Sequence, residues 1–285
     1  MKLLFDADYA AIEARIVCWL AGQEDALEEY RQGIDRYKVM ASIIYGVPVD
    51  EVNKHPQRFI GKQAVLGCGF QQGASKFRMT CEKFGYKTMP LGLEETAVTA
   101  FRQKHPKIKS YWYDVENAAQ RAIANKGRLV RVTNTKLGPY KVPVSFLCAD
   151  TNGLPFLVCK LPSGRKLAYP RPRLVPSPKF EGKLAIKFFG KIGVTVHWGD
   201  VDTYGGKLVE NITQAVAADI MCQGAQNAEN DGFGIMALIH DQALAYKAPG
   251  QTTKRFVECL TTMPAWADGL PIEAEGGEVP FYKKD

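Results

Sequence analysis

Residues 1–15 read MKLLFDADYAAIEAR, and this stretch decides how the rest of the chain is read. Leu3, Leu4 and Phe5 form a short apolar run that Asp6 and Asp8 interrupt. After Tyr9 the pattern turns helical, with Ile12, Ile16 and Leu20 spaced for one face. A strand that ends in a carboxylate and turns into a helix can hold a metal ion, because both elements fix the ligand. Asp is also a common helix N-cap, and alone the stretch fits that plainer role better. A second stretch, IMALIHDQALAYK at 235–247, changes the balance. It predicts strand, tight turn and strand, with His240-Asp241 at the turn. Ile235 to Ile239 is almost wholly apolar, which predicts a buried strand. Asp favours turns in any case, but Asp241 could also meet Asp8 on a neighbouring strand. Two adjacent carboxylates repel unless a cation separates them. A pair of divalent ions about 3.5–4 Å apart, bridged by such carboxylates, serves in-line phosphoryl and nucleotidyl transfer.

The chain has 285 residues, 46% of them hydrophobic, enough for one large or two smaller domains. Its net charge of +7 leans mildly towards polyanionic partners. Seven scattered cysteines, none in C-x-x-C spacing, argue against a disulfide framework and a structural zinc site. Cys18 and Cys222 lie in apolar helical surroundings and read as core thiols. No signal peptide and no long apolar run is evident, so a reducing, cytoplasmic setting without membrane contact is expected.

Helices are expected from Ile12 to about Gln103, and again over Ile108–Asn125, ended by Lys126-Gly127. From Arg128 the texture is strand-like: Arg128–Val132, Tyr140–Cys148, Phe156–Leu161, Arg165–Tyr169, Lys183–Phe189 and Val194–Trp198. The prolines between Tyr169 and Pro178 predict a loop. A helix follows over Lys207–Ala228, with Leu208, Ile212, Val216 and Ile220 four apart, and another over Thr252–Met263.

Within the helical part, Arg58, Lys62, Leu66 and Phe70 recur every fourth residue of QRFIGKQAVLGCGF (57–70). On a helix they form one slowly drifting stripe. Two cations a turn apart fit a triphosphate, and an aliphatic then an aromatic side chain fit a sugar and a base. A basic helix with its apolar residues packed inward is the plainer account. Gly61, Gly67 and Gly69 each cost such a helix about 1 kcal/mol relative to Ala, so something must approach it closely or it must move.

Together these stretches resemble the family A DNA polymerases, the bacterial DNA polymerase I class, and most of all their phage-encoded branch. Asp8-Tyr9-Ala10-Ala11-Ile12-Glu13-Ala14-Arg15 resembles motif A (D-Y-S-x-I-E-x-R). Arg58-x3-Lys62-x3-Leu66-x3-Phe70 resembles the nucleotide-binding fingers helix. His240-Asp241-Gln242 resembles motif C (H-D-E). LPSGRKLAYPRPRL (161–174) and TYGGKLVENITQAVAAD (203–219) resemble further family blocks. The resemblance implies an α+β fold: an antiparallel palm sheet with flanking helices from residues 1–15 and 127–285, and helical fingers from 16–126. It implies template-directed DNA synthesis from dNTPs on primer–template DNA, in a bacterial or phage-infected cell. Asp8 and Asp241, with the Tyr9 backbone carbonyl, would hold two Mg²⁺ ions, for which Mn²⁺ could substitute. Arg58 and Lys62 would grip the triphosphate, and Lys62 would protonate pyrophosphate. Leu66 and Phe70 would lie at the sugar and base, Phe70 stacking where the template turns in. Glu13 would exclude a 2′-hydroxyl. Gln214, Asn211, His240, Arg165 and Arg15 would contact DNA.

The chain departs from the family pattern at Phe70, where the family has tyrosine, and at Gln242, where it has glutamate. Register near Asn211 is one residue off the bacterial pattern. The family's thumb, upstream palm and any 3′–5′ exonuclease would precede Asp8, where this chain leaves no room, so both thumb and exonuclease domain are expected to be absent. A separate thumb- or exonuclease-bearing subunit is one consequence, making this the catalytic subunit of a split polymerase. An inactive DNA-binding remnant is another, against which the retained Asp8, Glu13, Arg58, Lys62 and Asp241 argue. A nuclease would use paired acids but has no need of the 58–70 stripe.

Overall fold

A computed structural model describes residues 3–132, 144–178, 180–193 and 196–282. The first strand, β1 (Leu4–Tyr9), runs into seven helices: α1 (Ile12–Ala21), α2 (Glu24–Arg31), α3 (Arg36–Tyr45), α4 (Phe59–Cys68), α5 (Ala74–Lys83), α6 (Leu93–Lys104) and α7 (Pro106–Ala124). One π-helical turn, Lys54–Arg58, precedes α4. Seven strands follow: β2 (Val130–Arg131), β3 (Ser145–Thr151), β4 (Leu154–Lys160), β5 (Lys166–Pro170), β6 (Arg173–Pro176), β7 (Leu184–Lys191) and β8 (Trp198–Thr203). Then come α8 (Gly205–Asn230), the hairpin β9 (Gly234–Ile239) and β10 (Gln242–Tyr246), α9 (Thr253–Thr261), and the last strand β11 (Ala274–Val279). The architecture is α+β.

The sheet that matters has the order β11-β1-β10-β9, antiparallel throughout. Alternation along β1 explains its position. Phe5, Ala7 and Tyr9 are buried, while Asp6 and Asp8 stand on the other side of the pleat. Phe5 meets Phe233 and Phe256, each with ring centroids 5.6 Å away. Tyr9 Oη donates to the Leu260 carbonyl at 2.9 Å. The apolar face thus rests on helices, and the carboxylate face stays open.

The sheet corrects one expectation. Ile235–Ile239 is not buried: β9 alternates exposed and half-buried residues, with Met236 and Leu238 each 40% exposed. It is the edge strand, and its neighbour β10 supplies the core through Ala243, Leu244 and Ala245. Cys222 is likewise exposed on α8, whereas Cys18 is buried as expected. The proline-rich stretch holds a strand, β6, whose Pro176 closes it at the edge of the β6-β7-β8 sheet. The strand expected at Val194–Trp198 begins only at Trp198, and residues 194 and 195 lie outside the described part. So do residues 140–143 of the predicted Tyr140–Cys148 strand.

No helix among the described residues is long and apolar enough to cross a membrane.

Candidate active site

Asp8 sits near the end of β1, opposite Gln242 on β10 and Glu275 on β11. It is not a helix cap, since the N-cap of α1 is Ala11, in the left-handed region and without a side-chain bond. Asp241 lies in the two-residue turn between β9 and β10, beside His240, whose φ is 55°. A non-glycine residue held at positive φ is uncommon and clusters at functional sites. The backbone N–H of Tyr9 donates to the Asp241 carbonyl at 2.9 Å, tying the turn to the residue after Asp8.

This arrangement crowds negative charge. The Asp8 carboxyl is pushed up to about 6, first by partial burial, then by Asp241, Asp6 and Glu275; Lys62 opposes the shift. Glu13, on the first turn of α1, is also raised, chiefly by burial and then by Glu210 and Asp241, against a hydrogen bond from Gln214. Glu13, Gln214, Asp241, Asp8 and Lys62 are therefore electrostatic neighbours although the sequence scatters them.

A cleft of about 380 Å³ opens beside Asp8, with Asp35, Tyr37, Arg58 and Glu275 among its lining. Arg58 and Lys62 both stand over the Tyr37 ring, at 5.1 and 6.0 Å. The 57–70 stripe is not one continuous helix. Arg58 belongs to the π-helical turn, α4 ends at Cys68, and Phe70 lies in the turn beyond, half-buried like Leu66. Gly61 is in place because a Cβ there would overlap the Tyr37 carbonyl of α3. Close approach of two helices, not looseness, explains that glycine. The pair Gly205-Gly206 works alike at the start of α8: Glu116 and Gln71 side chains accept from their N–H groups at 3.1 and 2.8 Å. A Cβ on either residue would strike the α7 backbone or the Phe70–Gln71 turn.

Of the residues expected to touch DNA, His240 and Gln214 are exposed, and Asn211 donates to Tyr169 Oη at 3.2 Å. Arg165 is paired with Asp219 and also donates to the Ala215 carbonyl, which holds it to α8. Arg15 is a correction. It is only 4% exposed. Its nitrogens donate to Ala10 O, Pro271 O and Glu273 at 2.8, 3.1 and 2.6 Å, and its guanidinium covers Tyr30 at 4.4 Å. This buried arginine ties the segment before β11 to the start of α1, each of its three nitrogens already bonded to protein. Sequence reading passes over Asp35, Tyr37 and Glu275; the one available signal was Asp35 as a polar residue heading a helix.

Acids at the tip of β1 and in the β9–β10 turn thus lie near the cations Arg58 and Lys62. Residues 1–135 match the model of DNA polymerase family A. A DNA polymerase of Bacillus phage SP02 is 36% identical over 283 residues, 98% of this chain and 41% of that protein. DNA polymerase I of Mycobacterium bovis is 27% identical over 137 residues, 47% of this chain and 13% of that protein. In structure, the POL domain of Pol1 from M. smegmatis, solved with DNA primer-template and dNTP, aligns with a TM-score of 0.59 and 18% identity, covering 98% of this chain and 39% of that one. The chain is thus similar to the family A DNA polymerases, over its first 135 residues to the family's model and over nearly its whole length to a phage DNA polymerase. It spans about two fifths of the length of the phage relative.

Proposed function

We propose that this chain carries the active centre of a template-directed DNA polymerase, joining dNTPs to a primer 3′-hydroxyl. The observation that carries the reading is the crowding at the tip of β1. Asp8 and Asp241 come together on adjacent elements, Asp8 is raised to about 6 in part by that neighbour, and the cleft beside them is lined by Arg58. Sheet strands with α8 and α9 make the palm, residues 1–15 and 127–285, and the helices of 16–126 make the fingers.

The residues present fit Mg²⁺. The donors are hard carboxylate oxygens, and no group of three His, Cys, Asp or Glu side chains among the described residues forms an all-protein cage. Mg²⁺ keeps several waters and binds through one or two protein carboxylates plus substrate phosphates, a role that the Asp8 and Asp241 carboxylates suit. Asp8 and Asp241, with the Tyr9 carbonyl, would hold two such ions, or Mn²⁺ in their place. When bound, the ions acidify the 3′-hydroxyl and neutralise charge on the departing pyrophosphate.

In the reaction the primer 3′-oxygen bonds to the α-phosphorus, the α–β bridging P–O bond breaks, and pyrophosphate leaves. Arg58 binds the triphosphate, and Lys62 binds it and delivers a proton to the leaving group. Glu13, held by Gln214, closes the space beneath the sugar. Phe70 offers a ring to the template base. Gln214 and Asn211 face the minor groove, His240 the primer end, and Arg165 the backbone. Primer–template DNA and dNTPs are the partners.

The test is primer extension on a templated duplex with Mg²⁺, comparing the protein with Asp8→Ala and Asp241→Ala. Templated extension that both substitutions abolish is expected. Intact primer–template binding without extension would overturn the reading for the isolated chain and direct the search to a separate thumb- or exonuclease-bearing polypeptide.

A further inference from the structure

Asp35 heads α3 and does two things at once. Its Oδ1 accepts from the backbone N–H groups of Tyr37 and Lys38 at 3.0 and 3.1 Å, capping the helix. Its Oδ2 accepts from Arg58 Nε at 2.6 Å. The Arg58 guanidinium also lies over the Tyr37 ring, 5.1 Å from its centroid. Its Nη1 and Nη2 have no protein acceptor among the described residues. Arg15 is the contrast, with Nε, Nη1 and Nη2 all bonded to the protein. Arg58, Asp35, Tyr37 and Asp8 line one cleft.

We propose that Asp35 is a positioning residue for nucleotide binding: it takes the Nε edge of Arg58 and leaves both Nη donors for the triphosphate of an incoming dNTP. The inference rests on the polymerase reading above. Arginine binds phosphate best through a planar fork, and a free side chain loses rotamer freedom on binding. Fixing one edge on Asp35 and the plane on Tyr37 removes much of that loss before the nucleotide arrives. The α3 cap matters because it holds the carboxylate itself still.

Asp35→Asn separates this role from helix capping, since Asn caps as well as Asp. KM for the complementary dNTP should rise about 5-fold, as expected for a partly exposed pair, with kcat within about twofold and the melting temperature nearly unchanged. Calorimetric Kd of the same dNTP for enzyme bound to a dideoxy-terminated primer–template should rise in parallel. Arg58→Lys, which cannot hold Asp35 and phosphate together, should show the same rise, and Asp35→Asn should add nothing to it. An unchanged or tighter Kd in Asp35→Asn, or a fall in melting temperature without a change in KM, overturns the proposal while leaving the polymerase reading intact. A wild-type protein that neither extends primers nor binds dNTP overturns the reading and the proposal together.

Discussion

The molecule concentrates charge in two places and treats it in opposite ways. Between α2, α3 and α6, charges of opposite sign are paired around a buried Arg36. Arg36, 5% exposed, bonds Glu29 at 2.6 Å and lies over Tyr30 at 4.9 Å. Lys104 joins Glu29 at 2.8 Å and Asp25 at 3.3 Å. Arg36 also bonds His105 Nε2 at 2.5 Å. Guanidinium only donates, so that nitrogen is the acceptor and Nδ1 carries the proton given to the Phe101 carbonyl at 3.0 Å. At the tip of β1 charge of one sign gathers instead, with Asp8 raised by Asp241, Asp6 and Glu275 and Lys62 opposing the shift. Paired charge holds helices together; crowded charge of one sign is poised for something that is not protein.

That contrast can be broken first at the acids. Asp8→Ala or Asp241→Ala should cut templated extension on the order of 10³-fold, several kcal/mol of lost transition-state stabilisation, while circular dichroism stays unchanged. Next comes the paired region: Arg36→Met should cost about 3 kcal/mol of unfolding free energy in urea, the scale for breaking a buried pair, yet spare extension at low temperature. A smaller effect is pH-dependent. Burial, and then Arg36, push His105 down to about 3. The unfolded chain therefore binds this proton first, and stability should fall as pH drops from about 6.5 towards 3. His105→Gln should flatten that slope in denaturation curves across the window. Asp8 runs the other way: its raised pKa means that ionisation opposes folding, so stability is lost as pH rises through about 6. Asp8→Asn should then raise the melting temperature of the metal-free protein by about 2 °C at pH 8, solvent screening keeping the gain small, and change nothing at pH 3.

Local patterns made much of this legible. Alternation in β1, the helix starting after Tyr9, the His240-Asp241 turn and the four-residue spacing along α8 are all short-range signals. What the chain hid was long-range. β11 pairs with β1 across some 270 residues, and only that register sets Glu275 beside Asp8. The edge position of β9 is a property of the sheet, so five apolar residues in a row misled about its burial. Arg15 reads as a free cation until Tyr30, Pro271 and Glu273 close around it. Asp35 reads only as a polar residue heading a helix, because its partner Arg58 lies 23 residues away in the sequence.

The central claim is that the crowded acids of β1 and the β9–β10 turn form a cation site, and Mn²⁺ titration by electron paramagnetic resonance, in the presence of dNTP, tests it most directly. The account predicts bound Mn²⁺ in the wild-type protein and its loss in both Asp8→Ala and Asp241→Ala. Undiminished Mn²⁺ binding in either variant would contradict it.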